Sequence, residues 1–116
     1  MSDSDMVRLR HVRDAAREAV HFVEGRSRAD LENNRMLNLA LVQLLEIIGE
    51  AVRALSPSFC QSHPEIPWKK MVGMRDRLIH GYFDINLDIV WETIKKDLPD
   101  LLVGLDKIIP PEGDRD

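Results

Sequence analysis

The stretch LNLALVQLLEIIGEAVRAL, residues 37–55, settles what kind of fold this is. Leu37, Leu41, Leu44, Ile48, Ala51 and Leu55 fall at steps of three and four residues, and Ala40, Leu45, Ile47 and Val52 widen the stripe. Such steps superpose side chains on one face of an α-helix. A face this broad needs neighbours on more than one side. Upstream, Ser27 to Asp30 supplies good N-cap residues. A helix opening there and running to about Leu55 would span ~40 Å at 1.5 Å per residue. Gly49, in its middle, costs about 1 kcal/mol relative to alanine unless close packing requires it.

The remaining chain reads the same way. Val7, Val12, Ala15, Ala16, Ala19, Val20 and Val23 predict a first helix from about Ser4 to Glu24, with Gly25 as its C-terminal cap. Ser56-Pro57-Ser58 breaks the long helix, and a short turn or helix follows. Pro67 suits the first turn of another helix, with Trp68 as a core anchor and Met71, Val72, Met74, Leu78 and Ile79 on its apolar side, ending near Gly81. Asp84 or Asn86 caps a last helix from Leu87 to Ile108, which Pro99 should kink and Pro110-Pro111 should end. No alternating strand pattern, internal repeat or low-complexity segment interrupts this order. The expectation is one all-α domain over residues 1–116: a bundle of four or five helices with its core at about 6–109 and an acidic tail at 110–116.

Composition narrows the functions. A hydrophobic fraction of 44% and a charged fraction of 31% suit a folded soluble domain. No apolar run approaches the ~18 residues that span a bilayer. The start, Met1-Ser2-Asp3-Ser4-Asp5, is acidic and polar, unlike a secretory signal. Cys60 is the sole cysteine, so no intrachain disulfide forms, and a reducing cytoplasm is the expected setting. A net charge of −4 argues against a broad nucleic-acid coat but leaves room for a local site. Four cations (Lys69, Lys70, Arg75, Arg77) and one acid (Asp76) lie between Pro67 and Tyr82.

That cationic segment holds the densest chemistry: Met74-Arg75-Asp76-Arg77-Leu78-Ile79-His80-Gly81-Tyr82-Phe83. Arginine grips phosphate, histidine moves protons near neutral pH, and tyrosine offers a modifiable hydroxyl. Asp76 and His80 are four apart and share a helix face, so the carboxylate could orient the imidazole. Arg75 and His80 are five apart, about 140° around a helix, and do not. The same residues also make an ordinary cationic C-terminal cap, and Tyr82 a packing residue.

The run Arg75 to Tyr82 resembles the Arg-x-x-x-x-His-x-Tyr signature of the HEPN superfamily, most closely the HepT-like toxins of HEPN–nucleotidyltransferase toxin–antitoxin modules. Glu46-Ile47-Ile48-Gly49-Glu50-Ala51, Pro64-Glu65-Ile66-Pro67-Trp68, Val90-Trp91-Glu92-Thr93-Ile94 and Asp97-Leu98-Pro99-Asp100-Leu101 are similar to that family in the same order, over about His11 to Ile109. The resemblance implies a metal-independent endoribonuclease that needs no cofactor; a two-fold dimer is expected with it, because each chain supplies one His80 and two copies would give acid and base at once. It gives catalytic roles to Arg75 and His80 and a supporting place to Asp76 and Arg77. Lys69 and Lys70 become candidates for RNA contact, or a plain solvated face. It also implies a partner, a minimal nucleotidyltransferase antitoxin that uses ATP and Mg²⁺ to transfer AMP to Tyr82. The alternative is a non-catalytic HEPN module that binds nucleotide or acts as a scaffold for the transferase.

Other polar residues promise less. Cys60-x-x-His63 is half a zinc site without a second pair. His11 and His21 read as surface or packing residues, and Trp68 and Trp91 as core rather than base-stacking platforms. Glu46 and Glu50, four apart, read as a solvated helix face.

Overall fold

The computed structural model describes residues 3–78 and 84–110. Seven helices follow in these residues: α1 (Asp3–Phe22), α2 (Arg28–Asn33), α3 (Arg35–Arg53), α4 (Pro57–Ser62), α5 (Trp68–Leu78), α6 (Leu87–Glu92) and α7 (Leu98–Asp106). A five-residue π turn, Thr93–Asp97, joins α6 to α7, and no strand occurs among the described residues. The architecture is the expected all-α bundle. Its four main members are α1, α3, α5 and the composite α6–π–α7, with α1 packed along α3 and α3 along α5.

The core follows the stripes. Leu9, Val12, Ala16, Leu41, Ile48, Met71, Met74, Leu78, Leu98 and Leu105 have no solvent exposure, and the contiguous core runs from Leu9 to Ile109. Each fully buried leucine or methionine contributes about 1.5–3 kcal/mol relative to exposure. Gly25 adopts φ +71, the left-handed conformation that ends the α1 turn. Trp68 is buried as anticipated. Trp91 is only half-buried, with the Lys95 ammonium 5.4 Å above its ring.

Three expectations need correction. The long helix is two helices. Asn34 leaves helical geometry at φ −127, ψ 96, and its Oδ1 accepts from the Leu37 N–H at 3.0 Å to cap α3. An asparagine side chain that satisfies an orphan donor makes a helix start cheap. Asn38 Nδ2 then donates to the Leu31 carbonyl at 2.8 Å, tying α2 to α3 across the break. α3 has 19 residues and is therefore about 28 Å long rather than ~40 Å. Second, Pro99 produces a widened turn. The Leu98 N–H donates to the Thr93 carbonyl, five residues back. Widening the turn takes the carbonyl of residue 95 out of the way of the proline ring. Third, α7 stops at Asp106, and a turn over Lys107–Ile109 precedes Pro110.

The start of α1 is locked to the start of α4. Asp5 is buried and accepts from both the N–H (2.9 Å) and the hydroxyl (2.7 Å) of Ser56, which itself caps α4 through Phe59 N–H. A carboxylate that reads in sequence as part of a polar leader is a structural tie.

Candidate active site

α5 carries the described part of the motif, and its placement follows from residues before it. Pro67 precedes the first turn, where a missing N–H costs nothing. Trp68 anchors that turn: its indole Nε1 donates to the His63 carbonyl at 2.9 Å, and its ring tilts against Phe59 at 5.8 Å. Met71, Met74 and Leu78 then repeat at steps of three and four on the core side. That pins the helix rotation and leaves Arg75, Asp76 and Arg77 exposed.

α5 packs its backbone against α3 at Gly49, where there is room for a methyl and no more. A methyl at this position would lie 3.4 Å from the Met71 carbonyl oxygen and 3.9 Å from that of Val72, so the two backbones approach to within the width of one methyl group. From this contact, one turn toward the N-terminus of α3 reaches Glu46, and one turn toward the C-terminus of α5 reaches Arg75. The helices run antiparallel here, so those turns lie side by side. Arg75 Nε donates to Glu46 Oε2 at 3.2 Å, with the side chains 52% and 34% exposed. The reading of Glu46 and Glu50 as one solvated face is thus half right. Glu50 is exposed, whereas Glu46 holds the motif arginine. The sequence carried one signal for this pair, a glycine three residues beyond Glu46 inside a long apolar helix.

The other cations sit elsewhere. Lys70 Nζ meets Asp97 Oδ1 at 2.9 Å, and Arg77 Nη2 donates to the Lys70 carbonyl at 3.2 Å. Arg75 and Arg77 are two residues apart, about 200° around the helix. The structure therefore sends Arg75 toward α3 and Arg77 back along α5 to the Lys70 carbonyl, while the Lys70 ammonium reaches the π turn at Asp97. Lys69 and Asp76 are exposed. His80 and Tyr82, with the expected helix end near Gly81, lie outside the described residues. The chain on either side of residues 79–83 is joined, since the Asn86 N–H donates to the Leu78 carbonyl at 2.6 Å. Asn86, not Asp84, caps α6, accepting from Ile89 N–H at 3.2 Å.

The half zinc site has other contacts. His63 packs on the Phe59 ring at 4.8 Å and its Nδ1 lies 3.4 Å from Glu65. Burial, helped by Asp5, pushes the Cys60 thiol above its ordinary pKa, away from the thiolate that binds metals. His11 is exposed, and so is His21, beside Glu24 at 3.5 Å.

Chemically, Arg75 is a guanidinium whose Nε is held by Glu46 and whose two Nη groups form a fork with no polar contact among the described residues. That geometry suits a phosphate oxygen pair, and it stands at the start of a segment supplying an imidazole and a phenol.

Comparison with known proteins fits this chemistry. The sequence profile described as "Ribonuclease HepT-like" matches residues 12–108. The chain is 41% identical over 104 residues to "Putative RNase TTE0752" of Caldanaerobacter subterraneus, covering 90% of this chain and 93% of that one. It is 38% identical over 95 residues to "Probable ribonuclease HepT" of Thermococcus cleftensis, covering 78% and 86%. No solved structure matches the chain.

Proposed function

The chain belongs to the HepT-like ribonuclease family, and from that premise we propose that it is the toxin of a toxin–antitoxin pair, a metal-independent endoribonuclease built around Arg75 and His80. RNA carries its own nucleophile. The ribose 2′-oxygen bonds to phosphorus, the bond to the 5′-oxygen breaks, and a 2′,3′-cyclic phosphate and a 5′-hydroxyl result. The protein supplies a group that takes the 2′-proton, one that protonates the 5′-oxygen, and a cation for the charge that builds on phosphorus. His80 of one protomer is the base and His80 of its twin the acid, each worth about 10²–10⁴ in rate. Arg75 stabilises the developing charge. The observation that carries this reading is the half-exposed Arg75 guanidinium at the head of the motif, held at Nε by Glu46.

A homodimer supplies both histidines. Support for it lies on the outer face of α3, where Met36, Leu39 and Ile47 stand exposed on the same side as the Glu46–Arg75 pair. Such a run of apolar side chains suits a partner surface. A nucleotidyltransferase antitoxin restrains the enzyme by transferring AMP from ATP to the Tyr82 phenol, with pyrophosphate leaving. The added phosphodiester anion pairs with the motif arginines and takes the place of substrate phosphate.

The test is expression without the partner. Growth arrest is expected, and Arg75→Ala or His80→Ala should abolish it together with cleavage of RNA to cyclic-phosphate ends. Co-expression with the transferase should add one AMP to Tyr82 by mass spectrometry. Arrest that persists in both variants overturns the nuclease reading.

A further inference from the structure

We infer that Glu46 is a positioning residue for Arg75, fixing which edge of the guanidinium faces the substrate phosphate. The inference rests on the proposed role of Arg75 and goes beyond it by assigning a function to a residue outside the motif. Three observations carry it. The Glu46 carboxylate engages Nε, the one guanidinium nitrogen within the side-chain stem, at 3.2 Å. Among the described residues, that contact leaves the Nη1–Nη2 edge for a ligand. The pair is set by backbone: the close approach at Gly49 puts the two helix turns beside each other, and Met71, Met74 and Leu78 fix the rotation of α5. Finally, Glu46 is the more enclosed partner, at 34% exposure against 52% for Arg75. A half-enclosed carboxylate on a rigid helix holds a long, flexible cation better than the cation holds itself. A carboxylate this near a phosphate site also repels RNA. Its benefit must therefore lie in the transition state rather than in binding.

This gives a signature that mere stabilisation of the fold lacks. Glu46→Ala should lower kcat about tenfold, because the arginine is no longer pre-aligned, while KM stays level or falls. Glu46→Gln, whose amide oxygen can still accept from Nε, should recover part of the loss. In a partly active Arg75→Lys background, which lacks the Nε that Glu46 holds, Glu46→Ala should change the rate less than about twofold, since residues acting through one another are not additive. The measurement is cleavage of total cellular RNA by the purified 116-residue chain at fixed ionic strength, with melting temperatures recorded for each variant. If Arg75→Ala cleaves like the unsubstituted chain, or that chain does not cleave, the catalytic reading falls and the inference with it. If Arg75→Ala is inactive but Glu46→Ala is fully active, the inference alone is overturned. It is likewise overturned if Glu46→Ala raises kcat or KM, or if its loss multiplies with that of a partly active Arg75→Lys.

Discussion

Gly49 is the point where packing and site meet, and its substitution can be worked through from distances. A methyl at residue 49 meets the Met71 carbonyl oxygen at 3.4 Å and the Val72 oxygen at 3.9 Å, both ordinary contacts. Alanine therefore fits with at most a slight adjustment. It also removes the backbone freedom that glycine loses on folding, a gain of up to about 1 kcal/mol in a helix interior. Gly49→Ala should stabilise the chain by about 0.5–1 kcal/mol, raising the melting temperature by about 2–4 °C. Leucine differs. Each further carbon reaches ~1.5 Å beyond the methyl, into carbonyl oxygens that belong to a helix backbone and cannot rotate away. α5 must retreat, and overpacking of this kind costs about 1–3 kcal/mol. The retreat also stretches the Arg75–Glu46 contact, and a displacement near 1 Å at a reacting group can cost about 10² in rate. Urea unfolding followed by circular dichroism, at one protein concentration to hold any association fixed, reads the stability. Cleavage of total cellular RNA reads the site. A Gly49→Ala variant less stable by more than about 1 kcal/mol would refute the contact distances, given the helix-propensity gain expected of alanine. A Gly49→Leu variant as stable and active as its parent would refute the claim that this approach leaves room for a methyl and no more.

Asp5→Ala leaves the Ser56 N–H and hydroxyl without their buried acceptor and should cost about 2–3 kcal/mol in urea unfolding, as for other hydrogen bonds to buried charges. Asn34→Ala removes the α3 cap and should cost about 1 kcal/mol, while Asn34→Asp, which can still accept from Leu37 N–H, should stay close to the parent. Cys60 has a folded pKa raised by burial and by Asp5. The neutral thiol is thus the form the fold favours, its stabilisation is present below the ordinary value of 9.0, and it is lost as pH rises through the higher folded value. Iodoacetamide should accordingly modify Cys60 more slowly than a free thiol at pH 8 to 9, with the difference abolished in urea. Equal rates with and without denaturant would contradict the shift.

Whatever depends on neighbours a few residues apart was legible in the chain itself. The three- and four-residue steps of leucine and alanine define helices because an α-helix places such positions on one side. Gly25, Pro67 and Asn86 mark ends because each has a local backbone or side-chain property that helix termini use. The motif from Arg75 to Tyr82 was legible as chemistry for the same reason, since it is contiguous. Asn34 was not legible as a break, because an asparagine within an apolar stripe stops a helix only if its side chain turns to cap the next one. Nor was the form of the Pro99 distortion, because a kink and a π turn both relieve the same clash. Only in the folded chain does Arg75 face α3 and meet Glu46, 29 residues earlier, while Arg77 turns toward the backbone of Lys70, whose ammonium meets Asp97. Those partners are chosen by how closely two antiparallel helices approach at a glycine and how far a buried methionine stripe rotates one of them. Neither quantity is written in any single stretch of residues.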